Sequence, residues 1–354
     1  MSVLDERIAL MVRLGHYLAD NSEAWQNVVA QAHRMNAWFV PEYTQLAVTG
    51  IAEAFLQEDR LRSWLAAYPA LTGQPSDKTV GLVMAGNLPL VGFHDFLCVY
   101  LSGLKLVIKL SSKDTVLWEH LLGLLGEWDP AFRDQVSTGD MLKGCDAYIA
   151  TGSNNSARYF EQYFQKYPHI IRKNRTSVAL LDGTETPEQL DGLAQDVCTY
   201  FGLGCRNVTK LYVPEGYRFE DLLPVFNTFS SHMDHHKYKN NYDFQLAIYL
   251  LNKVAYMSNG SLLLVPGESP FAPIGVLHYE YYTDREALLA QLASDDRLQC
   301  ITLKGAAALP GTTTATHAFA VPAVETRVFG TNQRPQLNDY ADGIDTMAFL
   351  SSLL

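Results

Sequence analysis

The sequence predicts an α/β protein with two domains behind a helical N-terminal region. At 354 residues the chain is too long for one ordinary hydrophobic core. After the polar run at residues 72–77, apolar strand-like runs alternate with helix-like runs. This pattern is typical of βαβ units, whose parallel sheet is covered on both faces. Hydrophobic residues make up 48% of the chain and charged residues 18%, which indicates a globular protein rather than a disordered one.

The N-terminal region, residues 1–78, is predicted to be a set of helices. Its first stretch carries apolar residues at helical spacing, which define one buried face: Leu4, Ile8, Met11, Leu14 and Leu18. Ser22 is a suitable N-cap for a second helix. Pro41 suits the first turn of a third helix, which we expect to continue through Phe55.

Residues 79–197 are predicted to form an α/β domain. Strands are expected at residues 80–85, 104–110, 147–150 and 177–181, and helices at residues 89–101, 116–128 and 155–166. Ligands of such sheets bind at the carboxyl ends of the strands, so the loops that follow the strands are candidate binding sites. No GxGxxG motif follows any of these strands, which disfavours an ordinary dinucleotide-binding fingerprint.

Residues 198–325 are predicted to form a catalytic α/β domain, and residues 326–354 a C-terminal tail with a helix near residues 343–350. Further strands are expected near residues 261–265, 275–281 and 300–303. The domain begins with Gly202-Leu203-Gly204-Cys205, and glycines allow the backbone to approach a substrate closely. A thiol there is a candidate nucleophile for carbonyl carbon. The alternative is a small apolar residue packed beside a turn, as is common for free cysteines.

Charge and cysteine usage exclude several classes of protein. The net charge of −11 disfavours nucleic-acid binding, which calls for a basic face. The five cysteines form no CxxC pair, so neither a disulfide framework nor a zinc cluster is expected, and a reducing cytoplasm fits best. The most apolar long window, residues 88–108, is interrupted by His94, Asp95 and Lys105, which disfavours a membrane span.

Five segments, in this order along the chain, resemble loops of the aldehyde dehydrogenase superfamily. They are Gly86-Asn87-Leu88-Pro89-Leu90, Lys109-Leu110-Ser111-Ser112, Thr151-Gly152-Ser153, Gly202-Leu203-Gly204-Cys205 and, more weakly, Phe271-Ala272-Pro273-Ile274. The resemblance implies the aldehyde dehydrogenase-like fold, with two doubly wound α/β domains. It implies that residues 79–197 form the nucleotide-binding domain and residues 198–325 the catalytic domain. It also implies that Cys205 is the nucleophile and that the Asn87 amide helps to stabilise the oxyanion. The residues implied to bind the cofactor are Gly86, Lys109, Ser111, Ser112, Thr151, Gly152, Ser153 and Phe271. No metal site is predicted.

Within the superfamily the chain is most similar to acyl-CoA reductases of the LuxC type. The similarity includes the helical N-terminal region, the run at residues 236–243 and the tail segment at residues 342–345. It implies NADPH-dependent reduction of a fatty acyl thioester, carried by coenzyme A or by a protein, to the aldehyde. It also allows a homo-oligomer. Two alternatives stay open: an aldehyde dehydrogenase that runs oxidatively, and a cysteine acyl-transfer subunit without redox activity.

One departure from the superfamily pattern bears on the mechanism. Oxidative members carry a glutamate that activates water, and aligning Ser177 with the serine of that segment places Arg172 at the glutamate position. The base for hydrolysis is therefore expected to be missing, with Glu268 as the main competing candidate. The basic run at residues 172–175 could bind phosphates or an acidic carrier, or form a solvated loop. His232, His235 and His236 are interpreted as a surface or helix-end cluster rather than a metal site.

Overall fold

The computed structural model describes residues 2–305, 319 and 324–354. Within them the chain divides into two compact units. The first comprises residues 2–174, 319 and 335–354, and the second comprises residues 175–305 and 324–334. No helix of the described ranges is both long enough and apolar enough to cross a membrane.

The first unit opens with the predicted helices. They are α1 (Val3–Asp20), α2 (Glu23–Met35), α3 (Pro41–Gly50) and α4 (Glu58–Leu65), with a π-helical turn (Ile51–Phe55) after α3. The Ser22 hydroxyl accepts the Trp25 N–H at 3.3 Å, which confirms the predicted N-cap. The predicted apolar face of α1 is buried except for the half-buried Leu4, and a Cβ at Gly15 would lie 2.8 Å from the Leu56 Cβ. Glycine at this position therefore lets α1 pack closely against the chain after the π-helical turn.

A five-stranded sheet forms the rest of the first unit. Its strands are β1 (Thr79–Val83), β2 (Lys105–Lys109), β3 (Val136–Thr138), β4 (Ala147–Thr151) and β5 (His169–Arg172). The helices of this part, including the C-terminal one, are α5 (Phe93–Ser102), α6 (Thr115–Trp128), α7 (Pro130–Gln135), α8 (Asn154–Phe164) and α13 (Thr346–Ser351). The strand order is β3-β2-β1-β4-β5, and all neighbours are parallel. The order reverses between β1 and β4, and such switch points form ligand crevices.

The second unit contains a seven-stranded sheet. Its strands are β6 (Thr176–Leu180), β7 (Val208–Pro214), β8 (Met257–Ser258), β9 (Leu263–Pro266), β10 (Val276–Tyr282), β11 (Leu298–Leu303) and β12 (Glu325–Val328). Its α-helices are α9 (Pro187–Cys198), α10 (Phe219–Leu222), α11 (His236–Leu251) and α12 (Arg285–Ala293). The order is β12-β11-β6-β7-β10-β9-β8. The pairs are parallel except β8 with β9, and β6 is buried along its whole length.

The two parallel sheets confirm the predicted α/β class, although several boundaries differ from expectation. The second unit begins at Arg175, earlier than the expected start of the catalytic domain at residue 198, because β6 pairs with β11 and β7. The expected C-terminal tail divides between the units, since β12 pairs with β11. The short strands β3, β5, β8 and β12 were not predicted. The expected tail helix begins at Thr346 instead of residue 343.

Candidate active site

The Cys205 segment follows an unusual backbone turn at the end of α9. Three consecutive residues have positive φ angles: Tyr200 at 56°, Phe201 at 57° and Gly202 at 74°. Both aromatic side chains are buried, which holds these two non-glycine residues in a left-handed conformation that costs about 1–3 kcal/mol each. Cys205 is exposed, whereas the other four cysteines are buried. The observed exposure fits a displayed thiol better than a core cysteine.

The side chain of Asn207 stabilises this turn through hydrogen bonds, a role that was not predicted from the sequence. Its fully buried side chain accepts the Gly204 N–H at 2.8 Å. Its amide nitrogen lies 2.8 Å from the carbonyl oxygen of Thr199, 3.0 Å from that of Asp196 and 3.2 Å from that of Val197. One side chain therefore provides hydrogen-bond partners both for backbone carbonyl groups at the end of α9 and for an N–H group of the loop that carries Cys205. The only signal for this role in the sequence is an asparagine two residues after the cysteine, and its burial is visible only in the structure.

Arg206 is a buried cation directly after the cysteine. Its guanidinium donates to the Glu325 carboxylate at 3.0 Å and to the Cys300 sulfur at 3.4 Å. Burial by itself disfavours the charged form, but Cys300, Glu325 and Cys205 outweigh it and raise the pKa of Arg206 above its usual value. The backbone of Cys205 is also fixed, because the Ser177 hydroxyl donates a hydrogen bond to the Cys205 carbonyl at 3.1 Å. Arg206 therefore stays charged and fixes the residue after Cys205 to β12 through Glu325.

The loop between β9 and β10, which carries Phe271, is held by three side chains. Lys210 donates to the Glu268 carbonyl at 2.7 Å, and its side chain is entirely buried. The His278 ring contacts the Ser269 carbonyl at 3.0 Å, and Thr209 donates to the carbonyl of the next residue, Pro270. The side chain of Lys210 also pairs with Glu280. Three consecutive carbonyl groups are thus fixed just before Phe271.

The Cys205 turn and the Phe271 loop come together within the second unit. A small cavity of about 20 Å³ is lined by parts of both. Its lining residues from these two segments are Phe201, Gly202, Ala272, Pro273, Ile274 and Gly275. Two of the five segments that carry the family resemblance therefore meet around one cavity.

Three other segments lie in the first unit, at neighbouring strand ends. The loops after β2, β1 and β4 leave adjacent parallel strands, at the carboxyl edge where ligands of such sheets bind. A Cβ at Gly86 would lie 2.7 Å from the Ser111 Cβ. The backbone of the loop after β1 therefore packs directly against a side chain of the loop after β2. The side chains of Asn87, Lys109 and Ser112 are exposed. These positions leave polar groups accessible to a ligand along this edge.

The Thr151-Gly152-Ser153 segment leads into a helix N-terminus. The Ser153 hydroxyl accepts the Ser156 N–H at 3.3 Å and caps α8. A Cβ at Gly152 would lie 2.9 Å from the Ser156 Cβ, so glycine allows the strand and helix to approach closely. The unpaired N–H groups and dipole of a helix N-terminus favour anions such as phosphates. These features fit a dinucleotide, and they are carried by the residues predicted for it.

The interpretation of Arg172 as a phosphate ligand or a solvated residue was wrong. Arg172 ends β5, is 4% exposed, and forms an ion pair with Asp95 at 2.7 Å. It also donates to the Ala341 carbonyl and, at 2.8 Å, to the Thr346 hydroxyl. Burial disfavours its charged form, but the Asp95 carboxylate outweighs this and raises the pKa of Arg172 above its usual value. Arg172 therefore joins α5, β5 and the C-terminal segment within the first unit.

The histidine cluster is partly a core feature, contrary to the surface interpretation. His232 is 6% exposed, and its ring centroid lies 4.6 Å from that of Phe201. Burial, together with the neighbouring His235, lowers the pKa of His232 to about 4. His235 caps α11 by accepting the Tyr238 N–H at 3.3 Å, as the helix-end interpretation predicted. Within residues 2–305, 319 and 324–354, no three His, Cys, Asp or Glu side chains are placed to hold a metal ion.

Comparison with known proteins identifies the fold as aldehyde dehydrogenase-like. No protein-family model matches the chain, and no curated protein sequence is significantly similar. Among solved structures, the chain is similar to an aldehyde dehydrogenase of Mycobacterium tuberculosis complexed with NAD⁺ (TM-score 0.59, 13% identity, 86% of this chain and 73% of that one). It is also similar to the NAD⁺ complex of aldehyde dehydrogenase from Bacillus cereus (0.63, 11%, 86% and 72%).

A third similar structure is the indole-3-acetaldehyde dehydrogenase of P. syringae in complex with NAD⁺ and IAA (TM-score 0.61, 13% identity, 86% of this chain and 72% of that one). The predicted fold is thereby confirmed. The roles assigned to individual residues stay predictions, because identities this low establish the fold alone.

Proposed function

We propose that the protein reduces a fatty acyl thioester to the aldehyde through an acyl-enzyme on Cys205, with NADPH as the reductant. The observation that carries the proposal is the exposed Cys205, which follows a backbone turn with three positive φ angles and is fixed by Asn207. Strained backbone of this kind clusters at functional sites. The aldehyde dehydrogenase-like fold and the order of the five segments support the same reaction class.

The first step is acyl transfer to the protein. The Cys205 thiolate attacks the thioester carbonyl, forming a carbon–sulfur bond and a tetrahedral oxyanion. The Asn87 amide and the Cys205 N–H are the proposed oxyanion donors, and such a donor is typically worth about 3–4 kcal/mol. When the oxyanion collapses, the bond to the leaving thiol breaks. Coenzyme A, or another carrier thiol, departs as a thiolate and takes a proton from solvent.

The second half of the reaction removes the acyl group. When bound, a reduced nicotinamide would supply a hydride to the carbonyl carbon. The residues proposed to hold the cofactor are Gly86, Lys109, Ser111, Ser112, Thr151, Gly152, Ser153 and Phe271. The protein's own task is to position the thioester carbonyl, stabilise the second oxyanion and release Cys205 as a thiolate. Aldehyde and free enzyme then result.

The absence of a carboxylate at the position of Arg172 favours reduction over hydrolysis. A guanidinium has no atom that can accept a proton from water, and the guanidinium of Arg172 forms an ion pair with Asp95. Glu268 is exposed and remains the competing candidate base, although the Lys210 contact fixes its backbone carbonyl. An acyl-enzyme without a general base within about 3 Å of the attacking water should be hydrolysed slowly.

An oxidative aldehyde dehydrogenase is the second candidate. It is favoured by the similar structures, which are aldehyde dehydrogenases solved with NAD⁺. The two functions differ in the fate of the acyl-enzyme: an oxidative enzyme releases free acid from aldehyde and NAD(P)⁺ alone. A reductase without the base should oxidise aldehyde only when coenzyme A is added to accept the acyl group.

The direct experiment combines acyl-CoAs of several chain lengths with NADPH, and measures aldehyde. We expect aldehyde in amounts equal to NADPH consumed, none from Cys205→Ala, and normal rates from Cys145→Ala. Cys145 is a matched control because it is a buried cysteine of the first unit. Aldehyde formation by Cys205→Ala, or none by the unmodified protein at any chain length, would contradict the proposal.

A further inference from the structure

The turn that carries Asn87 is strained and buried at its far end. Leu90 has a φ of 54°, and its side chain is 1% exposed. A branched, non-glycine residue rarely adopts this left-handed conformation unless its surroundings impose it. The turn begins after β1 and ends at α5, whose first residue, Phe93, donates its N–H to the Leu90 carbonyl at 2.9 Å. Something must hold Leu90 in place.

Asp114, in the loop after β2, forms the hydrogen bond that stabilises this conformation of Leu90. Its carboxylate oxygen Oδ2 accepts the Leu90 N–H at 2.7 Å, and the residue is 2% exposed. The other oxygen, Oδ1, is buried without a hydrogen-bond partner in the described residues. Burying an unsatisfied carboxyl oxygen is costly, so this aspartate is not placed here for stability alone. Burial also raises the pKa of Asp114 well above its usual range.

Asp114 belongs to the loop that starts with Lys109-Leu110-Ser111-Ser112. Its own N–H donates to the Ser111 carbonyl at 3.0 Å. The same two loops also touch where Gly86 packs against Ser111. Both contacts lie within the first unit, and together they fix the turn after β1 relative to the loop after β2.

We propose that Asp114 is a positioning residue that holds the strained Leu90 turn, and thereby places the Asn87 amide for oxyanion stabilisation. The catalytic part of this inference rests on the proposed function. The role of Asp114 is to accept one N–H, so an asparagine side chain can replace it, whereas alanine cannot. Asp114→Asn is therefore the conservative variant and Asp114→Ala the disruptive one.

The first test is amide hydrogen exchange, which does not depend on activity. In peptides covering residues 84–93, Asp114→Ala should exchange the Leu90 amide at least about tenfold faster than the unmodified protein, because a held amide is protected. Asp114→Asn should keep the slow exchange, and peptides over β4 should be unchanged in both variants. Unchanged exchange of the Leu90 amide in Asp114→Ala would overturn the inference.

The second test is a double-mutant cycle on acylation, measured as coenzyme A released from acyl-CoA without NADPH. Asp114→Ala should lower the maximal rate about tenfold or more with little change in the half-saturating acyl-CoA concentration. In an Asn87→Ala background the same change should cost less than about threefold. An equal loss in both backgrounds would show that Asp114 does not act through Asn87. If the unmodified protein releases no coenzyme A, the proposed function fails with the catalytic part, and exchange alone decides whether Asp114 holds the turn.

Discussion

Replacing Asn207 should lower the free energy of unfolding of the second unit and disrupt the conformation of the Cys205 loop. In Asn207→Ala, the Gly204 N–H loses its acceptor, and two of the three carbonyls at the end of α9 lose the two hydrogens of the amide. Each buried polar group left unpaired costs about 1–3 kcal/mol, so the free energy of unfolding should fall by about 4 kcal/mol. Asn207→Asp should be similarly destabilising, because a carboxylate cannot donate to carbonyl groups.

Urea unfolding followed by far-ultraviolet circular dichroism is the appropriate assay. Tryptophan fluorescence would report the wrong part of the chain, since every tryptophan lies in the first unit: Trp25, Trp38, Trp64, Trp118 and Trp128. Asn240→Ala is a matched control at an exposed position of α11, expected to change the free energy of unfolding by less than about 0.5 kcal/mol. If Asn207→Ala stays within about 1 kcal/mol of the unmodified protein, Asn207 does not hold the turn.

Three further changes test other parts of the account. His232 has a pKa lowered to about 4 against about 6.5 when unfolded, so its contribution to the free energy of unfolding should be constant above pH 6.5 and fall by up to about 3 kcal/mol as the pH drops to 4. Burial raises the pKa of Asp196 to about 7, and this group acts in the opposite direction over the same range. The difference in unfolding free energy between the unmodified protein and His232→Gln, from denaturant titrations at several pH values, should therefore show the slope of His232 alone. Arg172→Met leaves Asp95 buried without its partner and should lower the free energy of unfolding by about 3–5 kcal/mol. A stability equal to that of the unmodified protein would contradict a structural role of Arg172. Ser112→Glu places a carboxylate where the 2′-phosphate of NADPH is proposed to bind, and should raise the KM for NADPH at least about tenfold more than that for NADH; equal effects would refute the assignment.

The parts of the fold that the sequence predicted are those specified by local pattern. The N-cap at Ser22, the proline in the first turn of α3 and the apolar face of α1 depend on residues within a few positions of one another. The long apolar strands of both sheets were equally recognisable, because buried parallel strands have continuous hydrophobic runs. Strand β5 was missed because it is short, only alternate residues are buried, and its last residue is a charged Arg172.

The features that the sequence did not predict depend on distant partners. Arg172 resembled a surface cation because its partner, Asp95, lies on α5, far away in the chain. The second unit begins before β6 because that strand pairs with β11, which no local signal shows. Asn207 and Asp114 carry no local signal of their roles, and only the folded backbone reveals the N–H groups that donate hydrogen bonds to them. By contrast, the candidate site loops were proposed from their order along the chain, and their roles stay predictions.

The central claim is that Cys205 carries the acyl group and keeps it until a hydride arrives. Intact-mass spectrometry after mixing the protein with acyl-CoA, first without and then with NADPH, tests it directly. We expect one added acyl group that persists without NADPH, disappears with release of aldehyde when NADPH is added, and never forms on Cys205→Ala. The same adduct on Cys205→Ala would contradict the assignment of the nucleophile. Rapid loss of the adduct as free acid without NADPH, abolished by Glu268→Gln, would contradict the claim that no base for hydrolysis is present.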